Sequence, residues 1–283
     1  MLTTKTKIAL ARLAQRPVMW GRRLRGAGPQ ATVERRGLTW ALDLEEGIDF
    51  AIYLLGAFEP DTVRAYEKIV RPDMTVLDIG ANVGAHTLHF ARLVGPQGRV
   101  IAFEPTDWAF AKLQANIALN PEFGGRVTAV QAFLVDREDR EVAAEVPASW
   151  PLDGRDVHPK LRGRAMAASG AVATTLDAWL AAADIARVDF IKMDVDGHEC
   201  GVLAGAAQML ARDRPTILME VSPYILEERG GSLDGLLDPL EAVGYRLFGL
   251  TDGAPLPQDR AALAGTIPVG AGINAIARCD DGS

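Results

Sequence analysis

The chain contains only two cysteines among its 283 residues, Cys200 and Cys279. Their wide separation rules out a sequence-adjacent metal motif, and two thiols are too few for a disulfide framework. The sequence also lacks internal repeats and low-complexity tracts, which excludes repeat architectures. A reducing cytoplasm is therefore the expected location.

Basic residues are in the minority, with 30 lysines and arginines against 37 aspartates and glutamates and a net charge of −7. This balance argues against a general nucleic-acid-binding protein, because phosphate contacts need a basic surface. It suits a small or neutral substrate. With 48% hydrophobic and 24% charged residues, the composition is typical of a soluble protein with one large α/β domain.

The first 33 residues contain no acid, unlike the rest of the chain. Their apolar stretch is interrupted by Arg12 and is too short for a transmembrane helix or a secretory signal. We predict a capping helix or a frayed terminus here, with contact to a membrane surface as the less favoured alternative. The basic residues of this arm are Lys5, Lys7, Arg12, Arg16, Arg22, Arg23 and Arg25.

Residues 76–84 (Val-Leu-Asp-Ile-Gly-Ala-Asn-Val-Gly) read as an apolar strand that ends in an acid and runs into glycines. Because glycine has no Cβ, Gly80 and Gly84 permit a tight strand-to-helix turn that aims free backbone N–H groups at a ligand. The segment predicts a cradle for an adenosine-like ligand. The carboxylate of Asp78 favours a ligand that carries a positive charge.

A dinucleotide is disfavoured at this cradle. The dinucleotide fingerprint, glycine-x-glycine-x-x-glycine, would need glycines at positions 82 and 85 if it began at Gly80. The chain has Asn82 and Ala85 there. A side chain at position 82 hinders the close backbone approach of a pyrophosphate. An NAD-dependent oxidoreductase is therefore the disfavoured class.

Glu104 strengthens the prediction of an adenosine ligand. It follows the second apolar run, residues 100–103, and comes twenty positions after Gly84. Nucleotide-binding α/β folds place an acid at this point to bind the two ribose hydroxyls.

Strands and helices are predicted to alternate after the cradle. This alternation predicts a doubly wound, mostly parallel α/β sheet with helices on both faces and the ligand at the carboxyl ends of the strands. Before it, residues 31–58 are predicted to form an antiparallel hairpin around Gly37. The predicted helices are residues 85–94, 107–119, 175–183 and 199–210, and the predicted strands are 127–131, 188–193 and 215–221.

Residues 145–172 are predicted to form a long loop, rich in proline, glycine, alanine and arginine. A loop of this length inside a compact domain is either functional or mobile. We favour a lid that faces the substrate over a solvated insertion. The residues of interest in it are Trp150, His158, Lys160, Arg162 and Arg164.

Six short motifs occur in a fixed order, and together they are specific although each alone is weak. They are Gly-Ala-Phe-Glu-Pro (56–60), the cradle, Glu104-Pro105 with Phe110, Leu113 and Asn116, Thr-Thr-Leu-Asp (174–177), Asp-Phe-Ile-Lys-Met-Asp-Val-Asp-Gly-His-Glu (189–199), and Val202, Leu203, Gly205 and Ala206. In this order the chain resembles the FkbM family of class I S-adenosylmethionine-dependent methyltransferases. The resemblance runs from about residue 33 to a last strand at 273–278.

The resemblance implies a Rossmann-like, seven-stranded sheet whose last strand is antiparallel. It also implies S-adenosylmethionine as cofactor, S-adenosylhomocysteine as product, and methylation of an oxygen on a sugar, polyketide or other secondary metabolite. Residues 61–283 would form the methyltransferase domain, after an extension of residues 1–60 with the basic arm and the hairpin. The expected cofactor-binding residues are Asp78, Gly80, Asn82, Gly84, Thr87, Glu104, Pro105, Ala132 and Asp194.

Three features depart from the family pattern. Gly201 lies inside a predicted helix, where glycine costs about 1 kcal/mol relative to alanine. His86 replaces a residue that is more often aromatic in the family. The segment 145–172 has no firm match, so the substrate is not implied.

Transfer of a sulfonium methyl group to a hydroxyl needs an aligned acceptor and a base. His198 follows the fourth predicted strand and begins a helix, so we predict it to be the general base. Asp194 ends that strand, and Glu220 lies near the end of the neighbouring fifth strand. We predict both as catalytic residues, with Glu220 orienting His198 and stabilising its protonated form.

A metal-assisted reaction is the alternative mechanism. Asp194, Asp196 and Glu220 offer oxygen ligands that would suit Mg²⁺, although no metal is favoured. Lys192 lies in an apolar strand and needs a carboxylate partner, for which Asp78 and Glu220 are candidates. An N-methyltransferase is a close variant, because a neutral amine needs less help from a base. The expected partner is a small-molecule substrate without nucleic acid; the oligomeric state is open, with a homodimer plausible.

Overall fold

The computed structural model describes residues 4–155, 157–158 and 163–279, and these form thirteen strands, eleven α-helices and one 3-10 turn. The strands are β1 (Gln30–Arg35), β2 (Leu38–Asp43), β3 (Thr75–Ile79), β4 (Arg99–Phe103), β5 (Val127–Val130), β6 (Ala132–Leu134), β7 (Glu145–Ser149), β8 (Arg164–Ala167), β9 (Val172–Thr174), β10 (Phe190–Met193), β11 (Thr216–Val221), β12 (Tyr245–Gly249) and β13 (Ile273–Cys279). The helices are α1 (Thr4–Leu24), α2 (Gly47–Leu55), α3 (Pro60–Tyr66), α4 (Thr87–Leu93), α5 (Asp107–Ala118), α6 (Leu176–Ala182), α7 (Glu199–Ala204), α8 (Ala207–Asp213), α9 (Pro223–Glu228), α10 (Leu233–Glu241) and α11 (Arg260–Thr266), and the 3-10 turn is Pro121–Phe123.

Seven strands form one sheet in the order β12-β13-β11-β10-β3-β4-β5. The strands from β11 to β5 pair in parallel, whereas β13 is antiparallel to both of its neighbours. The expected seven-stranded sheet with a reversed last strand is therefore confirmed. Its order reverses at β3, so the carboxyl ends of β3 and β10 open a crevice there, as doubly wound sheets do.

The sheet is covered on both faces. Successive strand residues point to opposite sides, so Val76 packs with Phe90 of α4 on one face, while Leu77 packs with Leu203 of α7 on the other. Burial on both faces explains why these strands read as continuous apolar runs without polar alternation.

The N-terminal hairpin is confirmed only in part. Strands β1 and β2 pair as predicted, but residues 47–55 form α2 where the hairpin was expected to continue. The buried carboxylate of Asp49 in the first turn accepts the backbone N–H of Asp43 at 2.6 Å, which fixes the start of this helix. Gly56 ends it in the left-handed conformation, with φ 81°. The bond to Asp43 and the glycine C-cap favour a helix here in spite of the strand-like apolar composition. The division into an extension and a domain at residue 60 stays a prediction; Pro60 is the first residue of α3.

Strand β2 is held by two buried asparagines, Asn116 of α5 and Asn120 just after that helix. Asn116 Oδ1 accepts the backbone N–H of Ala41, and Asn120 Oδ1 accepts that of Thr39, both at 2.9 Å. Asn120 Nδ2 donates back to the carbonyl of Thr39 at 2.8 Å. These bonds pair the free edge of β2, so the hairpin is fixed to the seven-stranded sheet through α5.

Two predicted elements are different in the structure. The single helix expected over 199–210 is two helices, α7 and α8, because the chain bends at Gly205. A Cβ at Gly205 would lie 2.1 Å from the carbonyl oxygen of Val135. The predicted loop 145–172 is mostly ordered: β7 and β8 form an antiparallel hairpin, and β9 pairs with β6. Lys160 and Arg162, named as residues of interest in that loop, lie outside the described residues.

The basic arm forms helix α1, whose Met19 is buried in the core with Leu38 and Trp40. Residues 4–24 therefore form the predicted capping helix. Among the described residues, no helix combines the length and apolarity that crossing a membrane requires.

Gly201 offers a test of whether packing requires the glycine inside α7. A Cβ there would come no closer than 3.9 Å, to the backbone nitrogen of Asp136. We expect Gly201→Ala to stabilise the protein by about 0.5–1 kcal/mol, since alanine favours the helix and limits the unfolded chain. Urea unfolding measures the change.

Gly205→Ala is the matched control for that substitution, because Gly205 lies four residues after Gly201, between α7 and α8. Its Cβ would clash with the carbonyl oxygen of Val135 at 2.1 Å, so it should destabilise the protein. Equal effects of the two substitutions would contradict the packing described here.

Candidate active site

A large cavity of ≈ 1290 Å³ lies at the carboxyl ends of the parallel strands. Its walls come from the ends of β3, β4, β10 and β11, from the hairpin strand β7, and from α1 and α2. The volume exceeds the roughly 300–1,000 Å³ of ordinary small-molecule pockets, so the cavity has room for a cofactor and an acceptor together.

Gly80 brings the ends of β3 and β10 into close contact. It has φ 81°, and a Cβ at this position would lie only 1.9 Å from the carbonyl oxygen of Asp194. No other residue fits, because any side chain would push the two strand ends apart. Gly80 and Asp194 thus form the floor of the cavity at the point where the strand order reverses.

The turn after Gly80 does not present a row of free N–H groups, contrary to the prediction. The N–H groups of Gly80 and Ala81 both donate to the carbonyl of Phe103, at 3.0 and 2.9 Å. That of Asn82 donates to Glu104 Oε2 at 3.0 Å. Helix α4 begins only at Thr87. The cradle is therefore hydrogen-bonded to the end of β4. Its shape, and not a set of unpaired N–H groups, would accommodate a ligand.

Asn82 joins the cradle to the hairpin that covers it. Its backbone is left-handed, with φ 49°. Its side chain accepts the N–H of Val83 at 2.9 Å and donates to the carbonyl of Ala148 in β7 at 2.8 Å. The side chain that disfavours a pyrophosphate thus has a structural use, which is to hold β7 over the cavity.

Glu104 lies in the cavity wall as a nearly buried carboxylate. Its Oε1 accepts the N–H and the hydroxyl of Thr106 at 2.9 and 2.6 Å, and its Oε2 accepts the N–H of Asn82. Burial raises the pKa of Glu104, while these hydrogen bonds and the charge of Lys192 act in the opposite direction. Each carboxylate oxygen has two lone pairs, so Oε1 is filled by Thr106 while Oε2 keeps one lone pair, enough to accept one ribose hydroxyl. Pro105 and Ala132 line the cavity beside it.

Three predicted cofactor residues, Asp78, Gly84 and Thr87, are not among the described residues that line the cavity. Asp78 is fully buried, and its Oδ2 accepts the hydroxyl of Thr87 at 2.6 Å. A Cβ on Gly84 would lie 2.9 Å from Leu113 of α5. In this structure they support the cradle from behind, because Asp78 is bound to Thr87 of α4 and Gly84 lies against Leu113 of α5.

Lys192 is nearly buried and faces the cavity. Its Nζ lies 3.5 Å from Asp194 Oδ2 and 3.5 Å from the carbonyl of Gly80. Burial acts to lower its pKa, but the carboxylates of Asp194, Asp78 and Glu59 outweigh burial and leave the pKa raised. Lys192 therefore has a carboxylate partner as expected, but the one in contact is Asp194 and not the predicted Asp78 or Glu220. Asp78 acts on it only through its charge.

Asp194, Asp196 and Glu220 converge at the other end of the cavity floor. One carboxylate oxygen of each lies within 4.8 Å of the others. Burial, and then repulsion from Asp194, raises the pKa of both Asp196 and Glu220 well above the ordinary value. Three crowded carboxylates resist full ionisation unless protons or a cation neutralise them. This cluster is the main electrostatic feature of the cavity.

His198 lines the cavity apart from that cluster. It immediately precedes α7, after the left-handed residues Asp196 (φ 50°) and Gly197 (φ 94°), and its ring packs edge-on against Phe133 with centroids 6.4 Å apart. Burial, then the cations of Arg229 and Arg140, lowers the pKa of His198 to about 4. Its Nε2 has no hydrogen-bond partner among the described residues.

The predicted pairing of Glu220 with His198 is not present in the structure. The charges that act on His198 are arginines, and those that act on Glu220 are the acids Asp194 and Asp196, then Glu199 and Glu59. The reason is the turn at residues 196–197, which carries His198 toward Phe133 while Glu220 stays near the end of β11, beside Gly272. The Asp-Gly dipeptide is a turn signal, but it does not show where the turn sends His198.

The cavity also contains residues that sequence reasoning did not assign. Asn274 of β13 donates to Glu59 Oε2 at 2.8 Å and to the hydroxyl of Thr62 at 3.0 Å. Arg229 lowers the pKa of His198 and opposes the rise at Asp196. Glu59 belongs to the motif at residues 56–60, so the sequence contained a signal that could have identified it as a site residue. No sequence motif marked Asn274 or Arg229 as site residues, because only the tertiary fold brings them to the cavity.

The domain model described as "Methyltransferase FkbM domain" matches residues 78–247, more than half of the chain. The chain belongs to the FkbM methyltransferase family. The match begins at Asp78 of the cradle and ends within β12, so it spans most of the cavity floor. This family member is therefore a methyltransferase enzyme with the class I α/β fold.

Curated relatives of this FkbM methyltransferase include the 2-O-methyltransferase NoeI of Sinorhizobium fredii, 29% identical over 63% of this chain and 77% of its own length. Methyltransferase 1 of Beauveria bassiana is 30% identical over 50% of this chain and 62% of its own length. The AMB antimetabolite synthetase AmbE of Pseudomonas aeruginosa is 25% identical, and the match spans 10% of its length.

Solved structures similar to this FkbM methyltransferase include the FkbM methyltransferase of Methylobacillus flagellatus, with a TM-score of 0.42, 18% identity, and 73% of this chain and 44% of that chain covered. Another is M. jannaschii TYW2 in complex with AdoMet, with a TM-score of 0.45, 18% identity, and coverage of 89% and 85%.

Gly80→Ala should open the floor of the cavity, because its Cβ would overlap the carbonyl oxygen of Asp194 at 1.9 Å. We expect at least about a tenfold loss of S-adenosylhomocysteine affinity in calorimetry, if the variant folds, and a large drop in unfolding free energy. The control is Gly37→Ala, which has a similar φ of 71° but nothing within 4 Å of its Cβ. Equal losses in both variants would show that backbone strain alone, and not the contact with Asp194, matters.

Proposed function

We propose that this FkbM methyltransferase transfers a methyl group from S-adenosylmethionine to a hydroxyl oxygen of a small molecule such as a sugar, a polyketide or another secondary metabolite. One observation carries the proposal. A single cavity joins a nucleoside-type wall, made by Gly80, Glu104 and Ala132, to a cluster of ionisable side chains at Asp194, Glu220 and His198.

The residues of the nucleoside-type wall suit the proposed cofactor. Glu104 Oε2 keeps one lone pair for a ribose hydroxyl, and the apolar side chain of Ala132 offers a surface for an adenine ring. Asp194, at the centre of the floor, offers negative charge to a sulfonium group. The bound cofactor would supply an activated methyl electrophile.

We propose His198 as the group that takes the acceptor proton. Its pKa of about 4 leaves the imidazole neutral at pH 7, and only a neutral imidazole can accept a proton. The Nε2 atom has no partner among the described residues and the ring lines the cavity. The relative named 2-O-methyltransferase supports oxygen as the acceptor atom.

Isothermal calorimetry with S-adenosylhomocysteine and with NAD tests the cofactor. We expect binding of the first and not of the second, because Asn82 blocks a pyrophosphate approach while the sulfonium-type site remains. Tighter binding of NAD would reject the methyltransferase assignment of this cavity. A product screen with labelled methyl donor then separates hydroxyl from amine acceptors.

His198→Ala should lower kcat by about 10²–10⁴-fold, the usual contribution of a positioned base. Affinity for S-adenosylhomocysteine should change little, because Gly80, Glu104 and Ala132, and not His198, make the nucleoside-type wall. Retained turnover would remove His198 from the mechanism without affecting the methyltransferase class.

The pH profile provides a second readout for the same residue. With His198 as base, kcat should stay level from pH 8 down toward the pKa of about 4 and fall below it, as the imidazole becomes protonated. If Glu220 or Asp196 were the base, activity would also fall as the pH is lowered, but the fall would begin at a higher pH than for His198. The reason is that the pKa values of Glu220 and Asp196 are raised, so these carboxylates become protonated earlier.

A metal-assisted reaction is the second candidate, and the clustering of Asp194, Asp196 and Glu220 favours it. Three oxygen ligands at this separation fit a hard cation such as Mg²⁺, which would relieve the repulsion that raises their pKa values. A divalent ion there would acidify an acceptor hydroxyl.

Chelation and refilling test the metal. If the cluster holds a divalent ion, exhaustive EDTA treatment should abolish turnover. Adding Mg²⁺ to the chelated protein should then raise the melting temperature, and it should raise that of Glu220→Gln less than that of the unaltered protein. Glu122→Gln, an exposed acid outside the cavity, is the control. Full activity after chelation would eliminate this candidate and leave the His198 route.

A further inference from the structure

Helix α1 has an apolar face that packs on the protein and a second apolar face that does not. Met19 is buried in the core, and Ala14 and Val18 pack against the same cluster. On the other side of the helix lie large apolar side chains that are half to two-thirds exposed. They are Leu10 (52%), Leu13 (65%), Trp20 (66%) and Leu24 (68%).

These four positions fall on one stripe, because steps of three, four or seven residues return to the same helix face. The stripe continues onto the end of α2, where Leu54 and Leu55 are 49% and 57% exposed. Six of the ten large, exposed apolar side chains among the described residues therefore belong to this one surface. We call it the α1–α2 surface.

The α1–α2 surface borders the mouth of the cavity. Leu10, Leu54 and Leu55 are half exposed and also line the cavity. Whatever covers the surface therefore lies next to the opening through which an acceptor enters.

Charge identifies what covers the surface. Residues 1–33 carry seven cations and no acid, whereas the whole chain has a net charge of −7, so the remainder carries −14. Arg16 and Arg23 are exposed and follow Leu13 and Trp20 by three positions, so they flank the apolar stripe. An apolar stripe edged by cations, with a tryptophan in it, has the composition of a helix that lies in a membrane interface.

We propose that the α1–α2 surface docks on an anionic lipid bilayer and so presents the mouth of the cavity to the membrane. Anionic headgroups complement Arg16 and Arg23, while the exposed leucines and Trp20 enter the boundary with the acyl chains. A second copy of the chain is a poorer occupant, because face-to-face packing of two such helices would bring arginines of the same charge together.

Vesicle co-sedimentation of the full chain tests the docking. Unaltered protein should bind vesicles of phosphatidylcholine with 30–40% phosphatidylglycerol, roughly the anionic range in which polybasic segments bind, and bind pure phosphatidylcholine at least about tenfold more weakly. Raising the salt concentration should weaken binding, since the attraction between charges is screened.

Two double variants separate charge from apolar contact. Arg16→Glu with Arg23→Glu, and Leu13→Ser with Trp20→Ser, should each lower affinity for the anionic vesicles at least about tenfold. The matched controls, Arg71→Glu with Arg99→Glu at the opposite edge of the sheet and Leu119→Ser with Val172→Ser, replace residues that are also exposed. They should bind as the unaltered protein does. Circular dichroism and melting temperature check that each variant is folded.

Equal binding by all variants, or no binding to anionic vesicles, would overturn the proposal. A concentration-dependent dimer in light scattering, lost in Leu13→Ser with Trp20→Ser and accompanied by no vesicle binding, would overturn it in favour of self-association. Vesicle binding needs neither cofactor nor turnover, so its outcome is independent of the proposed methyl transfer.

Discussion

The contact between Gly80 and the carbonyl oxygen of Asp194 is the constraint on which the site depends. It sets the distance between β3 and β10 at the point where strand order reverses, and a Cβ would lie 1.9 Å from that oxygen. Because the two strand ends are this close, the ammonium group of Lys192 lies near both the carbonyl of Gly80 and the carboxylate of Asp194. The carboxylate balances its positive charge. The nucleoside-type wall and the acidic cluster can then share one cavity.

Electrostatics follow from that packing. The cavity floor brings Lys192 and several acids close together, so their ionisation is decided by their neighbours. Asp194 is paired with Lys192, while the pKa values of Asp196 and Glu220 rise. His198 is displaced toward arginines and becomes a weakly basic, neutral imidazole. One cavity thus holds a base that works at low pH and an acidic cluster suited to a cation, which is why pH dependence distinguishes the two mechanisms.

Much of the fold was predictable because its signals are local. Apolar runs ending in Asp78 and Glu104 indicated buried parallel strands, and the motif order indicated the reversed strand β13. Predictions failed where a distant contact decides the local structure. The bend at Gly205 depends on Val135, 70 positions earlier in the chain, and the N–H groups of the cradle are occupied by the end of β4.

The sequence by itself determined the family, the sheet, the edge of the sheet that binds ligand, and most residues of the cavity floor, because glycine geometry and apolar periodicity act over a few residues. Only the tertiary structure decided which side chains meet. It placed Glu220 with Asp194 rather than with His198, moved Asp78 behind the wall, and left the outer face of α1 uncovered. Those outcomes depend on strand order and on turns such as residues 196–197, which set distances between residues that are remote in sequence.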